Sequence, residues 1–181
     1  MKNLKVKKLV VPLDEFLVVN KDTSLLEVIL SLKEKKEKNA NFHSTVFITD
    51  DRGKFIGKIS ILDILRGIEP KYKDVSDVDL SRFGYSEDFV LSILKNYDLW
   101  AHPLENLCQN IPNILASEVA RDIDTNETVS TEDSLDLAVH KMVMNNYTLL
   151  LVEEDGSFVG VLRSIDLFFF ICEQVEKCDL K

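Results

Sequence analysis

The stretch GKFIGKISILDIL at residues 53–65 recurs as GSFVGVLRSIDLF at residues 156–168, and the two align without a gap at an offset of 103 residues. Five positions hold different but apolar residues in the two copies. Four positions are identical in both copies: Gly53 and Gly156, Phe55 and Phe158, Gly57 and Gly160, Asp63 and Asp166. Self-similarity of this kind indicates a duplicated structural unit.

A second pair of matching segments lies upstream of each copy. DTSLLEVILSL at 22–32 aligns with EDSLDLAVHKM at 132–142 at an offset of 110 residues. Because the two offsets differ by seven, the first repeat carries seven additional residues between its matching blocks. We expect them in the charged stretch 33–43, where a longer helix end or loop costs little.

Each repeat has the pattern of a strand, a helix, two strands and a second helix. The first helix begins with a capping-box signature, Ser24 followed by Glu27, and apolar residues follow at helical spacing. In the rest of the first repeat we expect a β-branched strand at 45–49, a turn at 50–53, a second strand at 54–60 and a short helix ending at a glycine at 61–67. In the second repeat we expect a helix at 134–145, a strand at 148–152, a turn at 153–156, a strand at 157–163 and a helix from 164 onward. One such unit cannot cover its own sheet, so we expect both to form one α/β (α+β) module.

Composition excludes several classes of protein. The 181 residues are 45% hydrophobic with a net charge of -9, and an acidic surface makes nucleic acid a poor partner. No apolar run reaches the roughly 20 residues that span a bilayer, and Asp14 and Glu15 end the N-terminal run too early for a signal peptide. We therefore expect a cytoplasmic protein with no membrane contact.

Cysteine and histidine usage gives little support for disulfides or metal. Three cysteines are too few and too scattered for a disulfide framework: Cys108, Cys172 and Cys178. We expect reduced thiols and no metal site, since the three histidines are also scattered. The sequence carries no GxSxG, Walker, HExxH or GxGxxG motif, so no enzyme is expected.

The two blocks resemble the CBS domain, whose hallmark is a strand–turn–strand, then glycine, two apolar residues, Ser or Thr, two residues and Asp. Residues 57–63 fit except that Lys58 stands at an apolar position, and residues 160–166 fit except that Arg163 replaces Ser or Thr. The resemblance implies two βαββα repeats related by a pseudo-twofold axis. The boundaries we predict are 1–70 for repeat 1, 71–114 for a helical insert and 115–181 for repeat 2, as in small stand-alone bacterial CBS-pair proteins.

The resemblance also implies a disc-like homodimer whose clefts bind an adenosyl compound such as AMP, ADP, ATP or S-adenosylmethionine, with no required cofactor. The leading hypothesis is a ligand-sensing module that transmits occupancy to a dimer or partner surface. The alternative is a ligand-free dimerisation and interaction scaffold. Slow nucleotide hydrolysis ranks below both.

Ser60 and Asp63 are the candidate ligand-binding residues of the first repeat. The resemblance implies that Asp63 accepts hydrogen bonds from both ribose hydroxyls and that Ser60 supports the ribose or a phosphate. A helix N-terminus beside them offers N–H groups to an anion. The alternative is that the two residues only form a capping box, and both interpretations stay open.

Asp166 and Arg163 occupy the same positions in the second repeat. Arg163 cannot accept an N-cap hydrogen bond, so Ser164 is the expected cap. Arg163 could face a phosphate as a bidentate donor, although pairing with an acidic side chain is favoured because the chain has 31 Asp and Glu residues. We therefore expect unequal clefts in which Asp63 contributes more than Asp166.

The remaining basic residues near the motifs and the insert have plainer interpretations. We interpret four of them as solvated surface charges rather than phosphate contacts: Lys54, Lys58, Arg66 and Arg121. His43 is interpreted as an ordinary loop histidine. In the insert, Ser86 is a plausible N-cap of a helix with an apolar stripe: Phe89, Ile93, Leu94, Tyr97, Trp100, Leu104 and Leu107. We expect this stripe to pack on the core or a dimer mate, with a lid or docking surface as the alternative.

Overall fold

Two four-stranded sheets, each accompanied by helices, organise the chain. The computed structural model describes residues 4–39, 42–69, 71–72, 87–97, 99, 109 and 111–177. The strands in chain order are β1 (Val11–Pro12), β2 (Leu17–Asn20), β3 (Val46–Thr49), β4 (Phe55–Ile59), β5 (Arg121–Asp122), β6 (Thr128–Ser130), β7 (Leu149–Glu154) and β8 (Ser157–Arg163). The helices are α1 (Leu25–Lys38), α2 (Ile61–Ile68), α3 (Glu87–Asn96), α4 (Ala116–Val119), α5 (Leu135–Asn145) and α6 (Ser164–Glu176). This mixed α/β composition confirms the predicted fold class.

The chain divides into two units that do not follow the sequence order of the repeats. We call Phe16–Asp122 the repeat-1 unit, and Met1–Glu15 together with Ile123–Lys181 the repeat-2 unit. The sheet of the repeat-1 unit has the order β2-β3-β4-β5, and that of the repeat-2 unit the order β1-β8-β7-β6. Each sheet thus takes one edge strand, β5 or β1, from the beginning of the other repeat.

The motif glycines permit this edge strand to approach. Gly57 on β4 lies opposite Asp122, and Gly160 on β8 lies opposite Pro12. A Cβ atom at Gly57 would meet the Arg121 carbonyl oxygen at 3.0 Å, and one at Gly160 would meet the Val11 carbonyl oxygen at 2.5 Å. The contact at Gly160 excludes a side chain, whereas a Cβ atom at Gly57 would force the edge strand to shift slightly. A glycine at this position therefore favours edge-strand pairing in both units.

Each unit has its own apolar core beneath its helices. In the repeat-1 unit the core residues come from α1, β3, β4, α2, α4 and the turn before α4: Leu25, Val28, Leu32, Val46, Ile48, Ile59, Ile64, Ile111 and Ala116. In the repeat-2 unit they come mainly from α5, β7, β8 and α6: Val6, Val129, Leu135, Ala138, Met142, Leu150, Val152, Leu162, Leu167 and Phe170. The positions correspond between the repeats, as the duplication predicts.

Strand pairing locates the seven additional residues. Ile48 lies opposite Gly57, and Val152 lies opposite Gly160, so β3 and β7 correspond at an offset of 104 residues. Six of the seven residues therefore lie between the first helix and β3, close to the predicted place, and the seventh lies in the turn before β4. Part of the extension lengthens the helix, because α1 has 14 residues and α5 has 11.

The predicted elements are confirmed with two corrections. The strand β7 continues to Glu154, so the first half of the turn predicted at 153–156 belongs to the strand. The other correction concerns the end of α2. The helix continues through Gly67 and ends at Ile68, so Gly67 is not the terminating residue. A Cβ atom at Gly67 would lie 2.3 Å from Cγ1 of Val119 on α4. The glycine is therefore required by the packing of α4 on α2.

The insert contains one described helix, α3, as the sequence predicts. Phe89 and Tyr97 of the predicted stripe are 38% and 37% exposed, whereas Leu99 is buried. Four of the residues named for the insert lie outside the described residues: Ser86, Trp100, Leu104 and Leu107. Within the described part of the chain, no helix is long and apolar enough to cross a membrane.

Candidate functional site

Ser60 and Asp63 meet where β4 passes into α2. Ser60 is the N-cap residue in an extended conformation, and its hydroxyl accepts a 3.3 Å hydrogen bond from the Asp63 N–H. In return Oδ2 of Asp63 accepts from the Ser60 N–H at 2.8 Å and from the Ser60 hydroxyl at 2.5 Å. The capping box that the sequence offered as the structural interpretation is therefore formed.

Two arginines hold the same carboxylate. Arg121 Nε on β5 lies 3.0 Å from Oδ1 of Asp63, and Nη1 of Arg66, one turn further along α2, lies 3.3 Å from Oδ1. The Asp63 side chain is only 3% exposed, whereas those of Arg121 and Arg66 are 57% and 56% exposed. The interpretation of both arginines as merely solvated charges is wrong, because a buried carboxylate requires paired donors.

These contacts decide the charge of Asp63. Burial alone would raise the pKa of the carboxyl group, but the hydrogen bonds from Ser60 and the charge and hydrogen bond of Arg121 outweigh it. The pKa of Asp63 is consequently held below its ordinary value of 3.8. At neutral pH the site contains one carboxylate and two guanidinium groups, so it carries a net positive charge.

The hydrogen-bonding capacity of Asp63 limits what it can accept from a ligand. Oδ2 of Asp63 accepts hydrogen bonds from the Ser60 N–H, the Ser60 hydroxyl and Arg121, whereas Oδ1 accepts a hydrogen bond from Arg66. The 3.3 Å bond from Arg66 is long and is made by an exposed side chain, so it is the easiest to displace. Because each carboxylate oxygen offers about two acceptor positions, Oδ1 could then accept from both hydroxyls of a diol, while the exposed guanidinium groups remain available to a phosphate.

The edge strand explains how Arg121 reaches the site. In the register of β4 and β5, Arg121 lies opposite Lys58, two residues before Ser60. Lys58 itself is buried at 8% exposure, so its interpretation as a solvated charge is also wrong. The sequence did not reveal the role of Arg121, since nothing in it shows that the first strand of repeat 2 pairs with β4.

The second motif has a different arrangement of charges. Arg163 is the N-cap residue of α6 and makes no side-chain cap, and Ser164 is the first helical residue rather than the expected cap. Nε of Arg163 donates to Oδ2 of Asp166 at 2.5 Å, and Nη2 donates to Oδ1. The side chains are 27% and 25% exposed. The expected acidic partner of Arg163 is thus Asp166 itself.

The two motifs therefore neutralise their aspartates from different positions. In the repeat-2 unit the residue opposite Val161, at the place of Arg121, is Val11. Val11 carries no charge, so the edge strand of the repeat-2 unit supplies no cation at this position. Arg163, at the N-cap position, pairs with the aspartate instead. A ligand at Asp166 would have to displace a bidentate pair, which is the strongest type of carboxylate contact.

His43 is a packed residue rather than an ordinary loop histidine. It is 7% exposed and stacks on Phe16 with ring centroids 4.5 Å apart. Phe16 in turn contacts Phe47 edge-on, and Phe47 contacts Phe55. This aromatic cluster anchors the start of β3.

The histidine, cysteine and acidic side chains bear on whether the protein could hold a metal ion or a disulfide. Among those residues, no group of three or more His, Cys, Asp or Glu side chains is placed to hold a metal ion. Cys172 is a free thiol of intermediate exposure. Cys108 and Cys178 lie outside the described residues.

Comparison with solved structures supports the fold. CBSX2 in complex with AMP is 16% identical with a TM-score of 0.57, and the match covers 96% of this chain and 99% of that one. A CBS domain-containing protein of unknown function from Bacillus anthracis is 17% identical with a TM-score of 0.63 and 96% coverage of both chains. The cytosolic domain of the Mg2+ channel MgtE in complex with ATP is 16% identical with a TM-score of 0.56, over 92% of this chain and 48% of that one.

Family membership rests on the sequence rather than on these distant structural neighbours. No curated protein sequence matches the chain. The model of the CBS domain matches twice, at residues 6–70 and 117–173, which together make up more than half of the chain. The two matches contain the Asp63 and Asp166 motifs respectively. The chain therefore belongs to the CBS domain family and carries two copies of the domain.

Proposed function

We propose that this protein is a regulatory module that binds an adenosine nucleotide, or S-adenosylmethionine, through the Asp63 site. The observation that carries the proposal is the buried, ionised Asp63 carboxylate beside two guanidinium groups that are each more than half exposed. A carboxylate suits the two hydroxyls of a ribose, and guanidinium groups suit a phosphate. The proposal includes no catalytic step and no required cofactor.

The solved relatives support the class of ligand. CBSX2 was solved in complex with AMP, and the cytosolic domain of MgtE in complex with ATP. The net positive charge at Asp63 favours AMP, ADP or ATP over an uncharged nucleoside, because this part of an otherwise acidic chain attracts an anion. We place the protein in the cytoplasm, where its thiols would stay reduced.

Occupancy of this site would be transmitted through β5. A phosphate that recruits Arg121 draws it away from Asp63, and Arg121 belongs to the two-residue strand that is followed directly by Ile123, where the repeat-2 unit resumes. A ligand can shift a conformational equilibrium only through contacts that differ between states. The ion pair between Arg121 and Asp63 would differ in this way between the free and the ligand-bound states. A regulated protein partner would respond to the loss of this ion pair.

Thermal unfolding in the presence of ligand tests the proposal. AMP, ADP, ATP and S-adenosylmethionine are each added over a range up to millimolar concentration, with adenine and inorganic phosphate as controls. A ligand at 100 times its dissociation constant stabilises the folded state by about 2.7 kcal/mol, and the midpoint should rise accordingly. No shift with any of the four compounds would contradict the proposal.

A scaffold without ligand is the second candidate, and exposed apolar residues on α6 favour it. Phe168, Phe169 and Val175 are 57%, 58% and 49% exposed, which is unusual for three large apolar side chains on one helix. We propose that this face closes a homodimer, since a twofold contact is the commonest way to cover such a surface. Light scattering should give about twice the 20.7 kDa chain mass, and a monomer at micromolar concentration would contradict it.

A further inference from the structure

A pocket of 660 Å³ lies in the repeat-1 unit between α1, the segment 42–44 and the first turn of α2. Its floor is formed by Leu32 and Ile64, which are each 6% exposed and belong to the core. Phe42 forms an aromatic wall, and Lys33 and Lys36 also line the pocket. The result is an open, largely apolar pocket that two lysine side chains also line.

The two lysines are on the same helix face as the apolar lining. Positions 29, 32, 33 and 36 of α1 all contact the pocket, and this spacing places residues on one face of an α-helix. Lys33 is held only loosely, with its Nζ 3.9 Å from a carboxylate oxygen of Glu37. In a chain with a net charge of -9, two lysines beside an apolar pocket favour an anionic occupant.

The pocket is a product of the extension in repeat 1. Lys36 lies beyond the position at which the shorter α5 ends, and Phe42 belongs to the longer connection between α1 and β3. In the repeat-2 unit only residues 146–148 join α5 to β7, and Tyr147 in that short connection packs against the core. The duplication therefore does not account for the pocket, whereas the additional residues do.

We propose that this pocket is a second ligand site, which takes a small anion with an aromatic or alicyclic body and a carboxylate or phosphate group. The volume falls within the range of about 300–1,000 Å³ that is usual for small-molecule sites. The ring would lie on Leu32, Ile64 and Phe42, and the acid group would meet Lys33 and Lys36. Asp63 does not line the pocket, so the site is distinct from the proposed nucleotide site.

The charge requirement is tested with two probes of the same shape, 2-naphthoate and neutral 2-naphthalenemethanol, titrated by calorimetry. Wild type should bind the acid about 3- to 10-fold more tightly, because the lysines are solvent-exposed and each contributes modestly. Lys33→Gln with Lys36→Gln should abolish this preference, while Lys54→Gln, an exposed lysine outside the pocket, should keep it. Equal binding of the two probes to wild type, or a preference that survives the double substitution, would overturn the proposal.

The position of the site is tested by blocking it at Ser44, an exposed residue that lines the pocket. The matched control is Thr148→Trp, because Thr148 is the exposed residue that corresponds to Ser44 at the offset of β3 and β7. Ser44→Trp should weaken 2-naphthoate binding at least about 10-fold, and Thr148→Trp should leave it unchanged. Equal effects of both variants would overturn the assignment.

Separate measurements keep this site distinguishable from the nucleotide site. Asp63→Ala should leave 2-naphthoate binding unchanged, and Ser44→Trp should leave AMP binding unchanged, with circular dichroism confirming that each variant is folded. If Ser44→Trp removes AMP binding as well, the pocket is part of the nucleotide site and the second site does not exist. If AMP fails to bind wild type but the 2-naphthoate results hold, the nucleotide proposal fails alone.

Discussion

Arg121 donates its Nε–H to Oδ2 of Asp63 at 3.1 Å, and its Nε also lies 3.0 Å from Oδ1, although 58 positions separate the two residues in the chain. The contact joins the last residue of the first motif to the first strand of the second repeat. It exists because β5 pairs with β4 beside Gly57, where a side chain would crowd the approach. A residue required by the family motif and a residue outside it thus form one site.

The pair should contribute measurably to stability. Asp63→Ala and Arg121→Ala, alone and together, form a double-mutant cycle, and residues in direct contact usually couple by about 0.5–3 kcal/mol. We expect about 1 kcal/mol, since the Arg121 side chain is more than half exposed and solvent screens the interaction. Urea unfolding measures the four free energies, and additivity within about 0.3 kcal/mol would show that the contact is energetically silent.

Acid unfolding should show the depressed pKa of Asp63. The folded pKa lies below the ordinary value of 3.8, so the unfolded state binds the proton more readily. The stabilisation from the ionised group is therefore complete above pH 3.8 and is lost as the pH falls through the lower, folded pKa.

The measurement compares wild type with Asp63→Asn, which keeps the side-chain shape, so that other acidic groups cancel. At neutral pH the variant should be less stable by about 1–2 kcal/mol, as expected for hydrogen bonds to a charged group. This difference should stay constant down to about pH 4 and shrink below it. A difference that already shrinks between about pH 6 and 5 would indicate a raised pKa and a wrong account of the site.

Gly67 should respond to substitution according to what faces it. An alanine is intrinsically better in a helix interior by about 1 kcal/mol, but its Cβ would lie 2.3 Å from Cγ1 of Val119. Gly67→Ala should therefore destabilise the protein by about 1–3 kcal/mol through overpacking. In a Val119→Ala background the same substitution should become neutral or stabilising. The same destabilisation in both backgrounds would mean that Val119 is not the cause.

The sequence predicted the features of the fold that depend on local hydrophobic periodicity and on the duplication. The helices and strands of both repeats, the capping box at Ser24 and the helical insert follow from spacing within short windows. Exchange of the edge strands could not be predicted, because β1 and β5 have two residues each and carry no alternation. The role of Arg121 was hidden for the same reason, since it depends on which strand lies beside β4.

The partner of Arg163 is a second feature that could not be predicted from the sequence. The sequence indicated that it would pair with an acid, but any of 31 acidic residues could have been its partner. The pair with Asp166 follows from the N-cap position of Arg163, which directs its side chain toward the first turn of α6. The backbone geometry at the start of α6 therefore determines the Arg163–Asp166 ion pair, which the amino-acid composition alone could not identify.

We propose that Asp63, rather than Asp166, accepts the nucleotide ribose. Calorimetric titration of AMP into wild type, Asp63→Ala and Asp166→Ala distinguishes the two carboxylates. Losing a carboxylate that accepts two ligand hydrogen bonds should cost on the order of 2–3 kcal/mol, which is roughly a 30- to 150-fold loss of affinity. We predict this loss for Asp63→Ala and less than about a 3-fold change for Asp166→Ala, whose carboxylate is already occupied by Arg163. Equal losses in the two variants, or a larger loss for Asp166→Ala, would contradict the account.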